Sequence, residues 1–374
     1  MKAVALSANT CWYLFNFRTN TIKKLISNGY MVYIISGKDD YVHKLEGLGC
    51  TFIELAIKPK SKNPFVDIRT IFHYIKIFRE IKVDAVLNFT PKCNIYSTIA
   101  ASLCNIPSLN NISGLGAVFS SQGIVRIITE ALYKFSQKRA RVVFFQNKDD
   151  MKLFTQLVDF SNDTDVMLLP GSGVDLKRFK QLPYVDKKEG VVFLMSSRLL
   201  EEKGVTIYYE AAKRIRNIYP SVNFYLAGFV EKECANAISA DDIERWQNEG
   251  AIKYLGSTDK IEEFLSMADC FVLPSYYSEG VPKSLLEAAA MGLPIITTDN
   301  IGCREVIVHN ESGYLCPPRS VKGLFDAMVK FIELKQEDRI LMGKRARIKI
   351  EQEFNEEVVI EKYISALTNI LHKQ

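Results

Sequence analysis

Long apolar runs are missing from this chain, and so are paired cysteines. No stretch of its 374 residues approaches the roughly eighteen consecutive apolar positions of a membrane-spanning helix, so none is expected to cross a bilayer. Lys2 is followed by six small or apolar residues before Asn9, too few for the core of a secretory signal. The eight cysteines (Cys11, Cys50, Cys93, Cys104, Cys234, Cys270, Cys303 and Cys316) form no Cys-x-x-Cys pair, and several sit inside apolar runs. They read as small buried hydrophobes in a reducing compartment, with no structural zinc. A cytoplasmic chain is expected. Histidine is scarce as well, at four positions: His43, His73, His309 and His372.

Apolar residues make up 48% of the chain and charged residues 24%, which excludes disorder, a collagen-like repeat and a small stapled domain. The length suits two domains, each able to bury its own core. Charge is divided unevenly between them. Residues 1–172 carry 21 basic against 13 acidic side chains, and the remainder 27 against 30. Within the basic half, Lys58 to Arg79 holds Lys58, Lys60, Lys62, Arg69, Lys76 and Arg79 against Asp67, interleaved with Phe65, Phe72, Tyr74 and Phe78. A second stretch, Arg126 to Arg141, has five bases against Glu130. Near an anionic leaflet each base contributes on the order of 1 kcal/mol, so either stretch could hold the protein reversibly to a membrane surface. The alternative is a solvated helix face. No nucleic-acid partner is expected.

Short β-branched runs alternate with helix-period segments along the whole chain. First-half strands are expected at Ala3–Leu6, Val32–Ile35, Phe52–Leu55, Ala85–Leu87, Ser108–Asn110, Val142–Phe145 and Val166–Leu169, with helices such as Thr19–Ser27, Phe65–Ile81 and Ile95–Cys104. After a turn-rich stretch, Gly171 to Gly190, the series restarts with strands at Val191–Met195, Phe224–Ala227, Ile252–Leu255, Cys270–Leu273 and Pro294–Thr297. Helices are expected there at Thr206–Ile218, Ile261–Met267 and Pro282–Met291. Such alternation implies an α/β architecture of two doubly wound parallel sheets, 1–172 and 173–355, facing a central cleft.

Ligands of doubly wound sheets sit beyond the carboxyl ends of the strands, which points to the turns there. After Val191–Met195, Arg198 and Lys203, the latter followed by Gly204, can converge on a diphosphate; the alternative is two surface bases neutralised by Glu201 and Glu202. After Cys270–Leu273 comes Pro274-Ser275-Tyr276-Tyr277-Ser278-Glu279-Gly280-Val281-Pro282-Lys283-Ser284-Leu285-Leu286-Glu287. Pro282 as first helical residue leaves the amides of Lys283 and Ser284 as an anion cradle. Glu287 precedes three alanines, so its carboxylate needs donors such as ligand hydroxyls or, alternatively, Arg198 or Arg304. Gly114 and Gly116, after a first-half strand, permit close approach of backbone to a ligand. Gly171-Ser172-Gly173-Val174-Asp175 suits either a hinge or a tight turn.

The Glu279-x7-Glu287 spacing, Arg198 with Lys203-Gly204, the Gly171–Asp175 junction and the run from Glu305-Val306-Ile307 to Gly313 together resemble family 4 retaining glycosyltransferases of the GT-B fold, over nearly the whole chain. Ser61-Lys62-Asn63-Pro64-Phe65 and Gly114-Leu115-Gly116 are similar to bacterial members that add N-acetylgalactosamine or similar sugars to diphospho-undecaprenol-linked saccharides. The resemblance implies two Rossmann-like domains and a nucleotide-sugar donor, UDP-linked on the narrower match. Arg198 and Lys203 would then bind the diphosphate and stabilise it as it leaves. Glu287 would meet the ribose hydroxyls; Glu279, with the backbone of Gly280, Val281, Pro282, Lys283 and Ser284, would meet the hexose; the Ile252 to Gly256 strand end would meet the base. The first domain would hold the lipid-linked acceptor at the inner face of the membrane, and the helix Glu356 to His372 would return to it. The family's stereochemistry implies that the acceptor proton passes to the departing phosphate oxygen.

Two departures stand out. Many relatives have a Gly-Gly loop after the first strand, where this chain has Ser7-Ala8-Asn9-Thr10 and, further on, Asn16-Phe17-Arg18, so a phosphate contact there would come from other amides or from Arg18. Many also have a histidine in the cleft, and the loop Asn110 to Gly116 has none. No metal site is expected, since Asp163-Thr164-Asp165 lies in a polar loop before a strand. A nucleotide-sugar epimerase and a non-catalytic membrane-surface module remain open alternatives.

Overall fold

The first strand, β1 (Ala3–Thr10), runs four residues beyond its expected end, and a helix, Cys11–Ser27, starts directly after it. Thr10 makes the abrupt change possible: its hydroxyl caps the helix by accepting from the Tyr13 amide at 3.2 Å. Ser7–Thr10 is therefore strand rather than loop. In this computed structural model residues 2–58, 61, 63–116, 123–181, 190–231, 234 and 236–372 are described. Lys60 and Lys62 of the first basic stretch lie outside them.

The chain divides into two compact units, one of residues 1–172 with 357–374, the other of residues 173–356. In the first, seven parallel strands run in the order β3-β2-β1-β4-β5-β6-β7, with β2 (Met31–Gly37), β3 (Thr51–Glu54), β4 (Ala85–Asn88), β5 (Ser108–Ile112), β6 (Val142–Phe145) and β7 (Asp165–Leu168). One face packs on helices Pro64–Ile81 and Pro91–Leu103, the other on Cys11–Ser27 and Glu356–His372. Tyr363 from that last helix stacks edge-on against Phe144 and Phe89. Arg18 is closed in beside it, 1% exposed and 4.5 Å from the Phe89 ring centroid, so it belongs to this core and not to a phosphate site.

The second unit holds six parallel strands in the order β10-β9-β8-β11-β12-β13: β8 (Val192–Ser196), β9 (Asn223–Ala227), β10 (Lys253–Tyr254), β11 (Cys270–Leu273), β12 (Ile295–Thr298) and β13 (Gly313–Cys316). The sequence pattern misses β13, a four-residue strand, Gly313-Tyr314-Leu315-Cys316, opened by a glycine. Gly313 explains its tight pairing: a Cβ there would lie 2.0 Å from the Ile295 carbonyl oxygen. In each sheet the strand order reverses once, between β1 and β4 and between β8 and β11. Those switch points leave a crevice at the carboxyl ends of the two flanking strands.

Candidate active site

The switch point of the second unit brings the turn after β8 against the loop after β11. Lys203 ends a 3-10 turn, Glu201–Lys203, and Gly204 follows at φ +79°. A Cβ on Gly204 would lie 2.2 Å from the Pro274 carbonyl oxygen, so only glycine lets the two segments approach this closely. The result is a direct ion pair between the Lys203 ammonium and a Glu279 carboxylate oxygen, with the two side chains 11% and 13% exposed. The same oxygen accepts from the Ser275 hydroxyl at 3.0 Å. The Glu202 carbonyl accepts from that hydroxyl and from the amides of Tyr276 and Tyr277, which pins the loop to the 3-10 turn. Ser275 is fully buried, and sequence reading passed it over in favour of the charges around it.

Arg198 reaches the Glu231 carboxylate at 3.2 Å and is half-exposed. Glu201 and Glu202 do not neutralise it; Glu201 instead accepts from the Thr206 hydroxyl. Behind Arg198, a Cβ on Gly228 would lie 1.8 Å from the Ser197 carbonyl oxygen. Gly228 also donates its amide to the Gly256 carbonyl and accepts from the Tyr254 hydroxyl at 2.6 Å. The ends of β8, β9 and β10 thus form one wall made largely of backbone.

The helix Lys283–Ala290 begins one residue later than expected. Pro282 is extended, at φ −62° and ψ 119°, and serves as the cap rather than as the first helical residue. Its carbonyl takes the amides of Leu285 and Leu286, which closes the first turn of the helix. Gly280, Val281 and Pro282 are buried. The end of β12 and the turn after it brace the 275–280 loop: Asn300 donates to the Tyr277 carbonyl at 2.8 Å, the Thr298 hydroxyl meets the Ser275 carbonyl, and Gly302 packs on the carbonyls of Glu279 and Gly280. None of these three carried a sequence signal, because their contacts are with backbone.

Glu287 lies on this helix, half-buried, and its carboxylate accepts no hydrogen bond from a described residue. Arg198 and Arg304, the alternative partners expected for it, are engaged by Glu231 and by Asp299, the latter at 3.0 Å. Burial pushes the Glu287 carboxyl up; Lys283 and Arg178 pull it back and Glu262 adds to the rise. An acceptor without donors beside an anion-attracting helix start can take up ligand hydroxyls and phosphate oxygens together.

Gly114 and Gly116 belong to the first unit, after β5, with Gly114 at φ +127°. Beneath them Asn88, Thr98, Asn110 and Gln137 form a buried hydrogen-bonded chain, in which Asn110 receives the Asn88 amide at 2.8 Å and donates to Gln137 at 2.7 Å. Asp150, 2% exposed, ties the glycine loop down by accepting from the Leu115 amide and from Asn147 at 2.8 Å. Burial, the main cause, raises its pKa to about 6. Because the folded pKa lies above the unfolded one, the folded state binds the proton more tightly. Stability from this group is present at low pH and lost as pH rises through about 6. Asp150→Asn is expected to stabilise the fold at pH 8 by about 1–2 kcal/mol and by little near pH 4, measured by urea unfolding. Equal differences at both pH values would refute it.

Two family descriptions match the chain: Glycosyl transferases group 1 over residues 177–349, and Glycosyl transferase 4-like over residues 3–147. The chain is a glycosyltransferase that carries both domains. The enzyme is 29% identical, over 96% of both chains, to the Campylobacter jejuni protein named N,N'-diacetylbacillosaminyl-diphospho-undecaprenol alpha-1,3-N-acetylgalactosaminyltransferase. It is 28% identical to an Escherichia coli UDP-Gal:alpha-D-GlcNAc-diphosphoundecaprenol alpha-1,3-galactosyltransferase, over 77% of this chain and 76% of that one. Its fold matches a Rickettsia africae glycosyltransferase structure with TM-score 0.79 and 18% identity, each covered fully. Anabaena Alr3699/HepE in complex with UDP and glucose also gives 0.79, at 16% identity over 99% of this chain and 100% of that one. The glycosyltransferase therefore has the GT-B class of fold, two Rossmann-like units, with Lys203, Glu279 and Ser275 assembled within the second unit and Gly114 and Gly116 in the first.

Proposed function

We propose that this glycosyltransferase moves a hexose or N-acetylhexosamine, with retention, from a UDP-linked donor to an undecaprenyl-diphosphate-linked saccharide in bacterial surface-glycan or glycoprotein-glycan synthesis. The observation that carries the proposal is the ion pair of Lys203 and Glu279, braced by Ser275 and set beside the Lys283–Ala290 helix start and Glu287, whose carboxylate accepts no hydrogen bond from a described residue. Arg198 and Lys203 meet the donor diphosphate, Glu287 the ribose hydroxyls, and Glu279 with the Gly280–Ser284 backbone the hexose. The bond between the sugar's anomeric carbon and the phosphate oxygen breaks, the acceptor oxygen bonds to that carbon on the same face, and its proton goes to the departing phosphate. Two cations and the positive end of the Lys283–Ala290 helix supply the counter-charge, so no metal is invoked. The names of the Campylobacter and Escherichia coli relatives support the lipid-linked acceptor.

Calorimetric titration with UDP, GDP and NAD in the presence of EDTA tests the donor half. UDP alone is expected to bind, and Glu287→Ala to weaken it roughly 10- to 100-fold, as for hydrogen bonds to a charged acceptor. Absence of UDP binding, or binding lost to EDTA, defeats the proposal.

We also place the first unit against an anionic membrane. No helix among the described residues is long and apolar enough to cross one. Helices Pro64–Ile81 and Ile124–Gln137 both pack on Pro91–Leu103 and leave Phe65, Ile68, Phe72, Ile124, Ile127 and Ile128 exposed. Asp67 is taken up by Lys92 at 2.8 Å and Lys76 pairs with Glu80 at 3.8 Å, so Asp67 does not offset Arg69 and Arg79. An exposed apolar ridge among bases suits insertion just below anionic headgroups. Ile127→Asp with Ile128→Asp is expected to weaken binding to phosphatidylglycerol vesicles by roughly 100-fold while leaving UDP affinity unchanged. Undiminished sedimentation with vesicles would remove this surface from consideration.

A further inference from the structure

One cation of the second unit has no part in the mechanism above. Arg178 follows the junction glycines, where the Asp175 carboxylate accepts from the amides of Lys177 and Arg178 at 2.8 and 3.0 Å and turns the chain. Its guanidinium forks onto Glu262, at 2.7 Å from Nη2 and 3.3 Å from Nε. Nη2 also donates to the Asp259 carbonyl at 2.6 Å. One side chain thereby ties the junction segment to the loop that joins β10 to the helix Ile261–Leu265. A planar fork holds such a position in a way that a flexible ammonium does not. The junction has little room to move around it: a Cβ on Gly173 would lie 2.4 Å from the Glu356 Cα.

We propose that Arg178 is a positioning residue of the donor site, gripping Glu262 and the Asp259 carbonyl so that the 255–260 loop and the start of the short helix are held in place and a positive charge is set near Glu287. The inference rests on Glu287 as the acceptor for the nucleoside hydroxyls. The charged groups that act on Glu287 are Lys283 on its own helix, Arg178 from the junction and Glu262 from the short helix. Arg178 and Lys283 oppose the rise that burial imposes on the Glu287 carboxyl, and Glu262 reinforces it. Grip and charge are therefore separable by substitution.

The test is UDP titration of the full-length enzyme from about pH 5 to 8, with donor KM, kcat and melting temperature, for the wild type and for Arg178→Gln, Arg178→Lys and Glu262→Gln. Arg178→Gln is expected to weaken UDP binding and raise donor KM about tenfold at little change in kcat, and to move the acid limb of binding to higher pH. Arg178→Lys returns the acid limb toward wild type but leaves affinity reduced, because charge is kept and the fork is lost. Glu262→Gln moves the acid limb the other way, to lower pH, by removing a negative charge. Opposite movements in the two neutralising variants are not what a loss of stability produces. Unchanged Kd and acid limbs, or a fall in melting temperature with unchanged Kd, overturn the inference while wild-type UDP binding stands. A wild type that binds no UDP overturns the donor-site assignment and this inference together.

Discussion

Glu279→Gln is expected to reduce sugar transfer by roughly 100- to 1,000-fold, the usual cost of losing one preorganised polar group at a reacting centre, while UDP affinity stays within a few-fold of wild type. The structure sharpens the expectation. Glu279 is the carboxylate partner of Lys203, and glutamine keeps an oxygen for the Ser275 hydroxyl while leaving the ammonium without its counter-charge. A bound diphosphate can take over that charge, so nucleotide binding survives and transfer does not. Steady-state rates with a lipid-linked acceptor, read beside calorimetric Kd values, separate the two effects. Unchanged transfer would mean that the hexose is placed elsewhere. A common fall in affinity, rate and melting temperature would make the pair a structural one.

The second large effect is on the fold. Gly204→Ala places a methyl group 2.2 Å from the Pro274 carbonyl oxygen and 2.7 Å from its carbon, at φ +79°. Both obstacles are backbone, so neither can rotate away. The left-handed conformation costs about 1 kcal/mol for alanine, and separating the two segments brings the total to roughly 3 kcal/mol. A fall in melting temperature of roughly 10 °C follows for a unit of this size. Transfer should fall with it, because Lys203 is the neighbouring residue and moves away from Glu279. Gly250→Ala is the control: its φ is +69°, yet a Cβ there meets nothing within 4 Å. It should cost only about 1 kcal/mol. If the two variants melt alike, close packing at Gly204 is not what the site depends on.

Much of the architecture was legible in one dimension. Continuous apolar runs such as Val142–Phe145 and Cys270–Leu273 are strands because a parallel sheet covered on both faces buries every side chain, and a four-residue run of that kind has few other stable forms. Helix ends were less legible. The helix Cys11–Ser27 starts eight residues before the expected Thr19, since Thr10 caps it with no intervening loop to announce it. Pro282 was placed inside its helix, whereas the extended cap it adopts leaves a turn in which Leu285 and Leu286 share its carbonyl. Arg18 was offered to a phosphate because a charge is normally written for the surface; three aromatic rings enclose it instead.

The sequence by itself determined the class of fold and the identities of the charged residues at the second switch point, because periodicity sets which segments are buried and the strand-end rule sets which turns face a ligand. Pairing was decided only in three dimensions. That Arg198 turns to Glu231, Lys203 to Glu279 and Arg178 to Glu262 depends on which loops two crossing segments bring within about 3 Å of each other, and no spacing along the chain encodes that distance. The same holds for Ser275, Thr298, Asn300 and Gly302, whose partners are carbonyl groups common to every residue. Glu287 shows the two levels together: its sequence neighbours called for a ligand or a cation, and among the described residues the fold gives Arg198 to Glu231 and Arg304 to Asp299 instead.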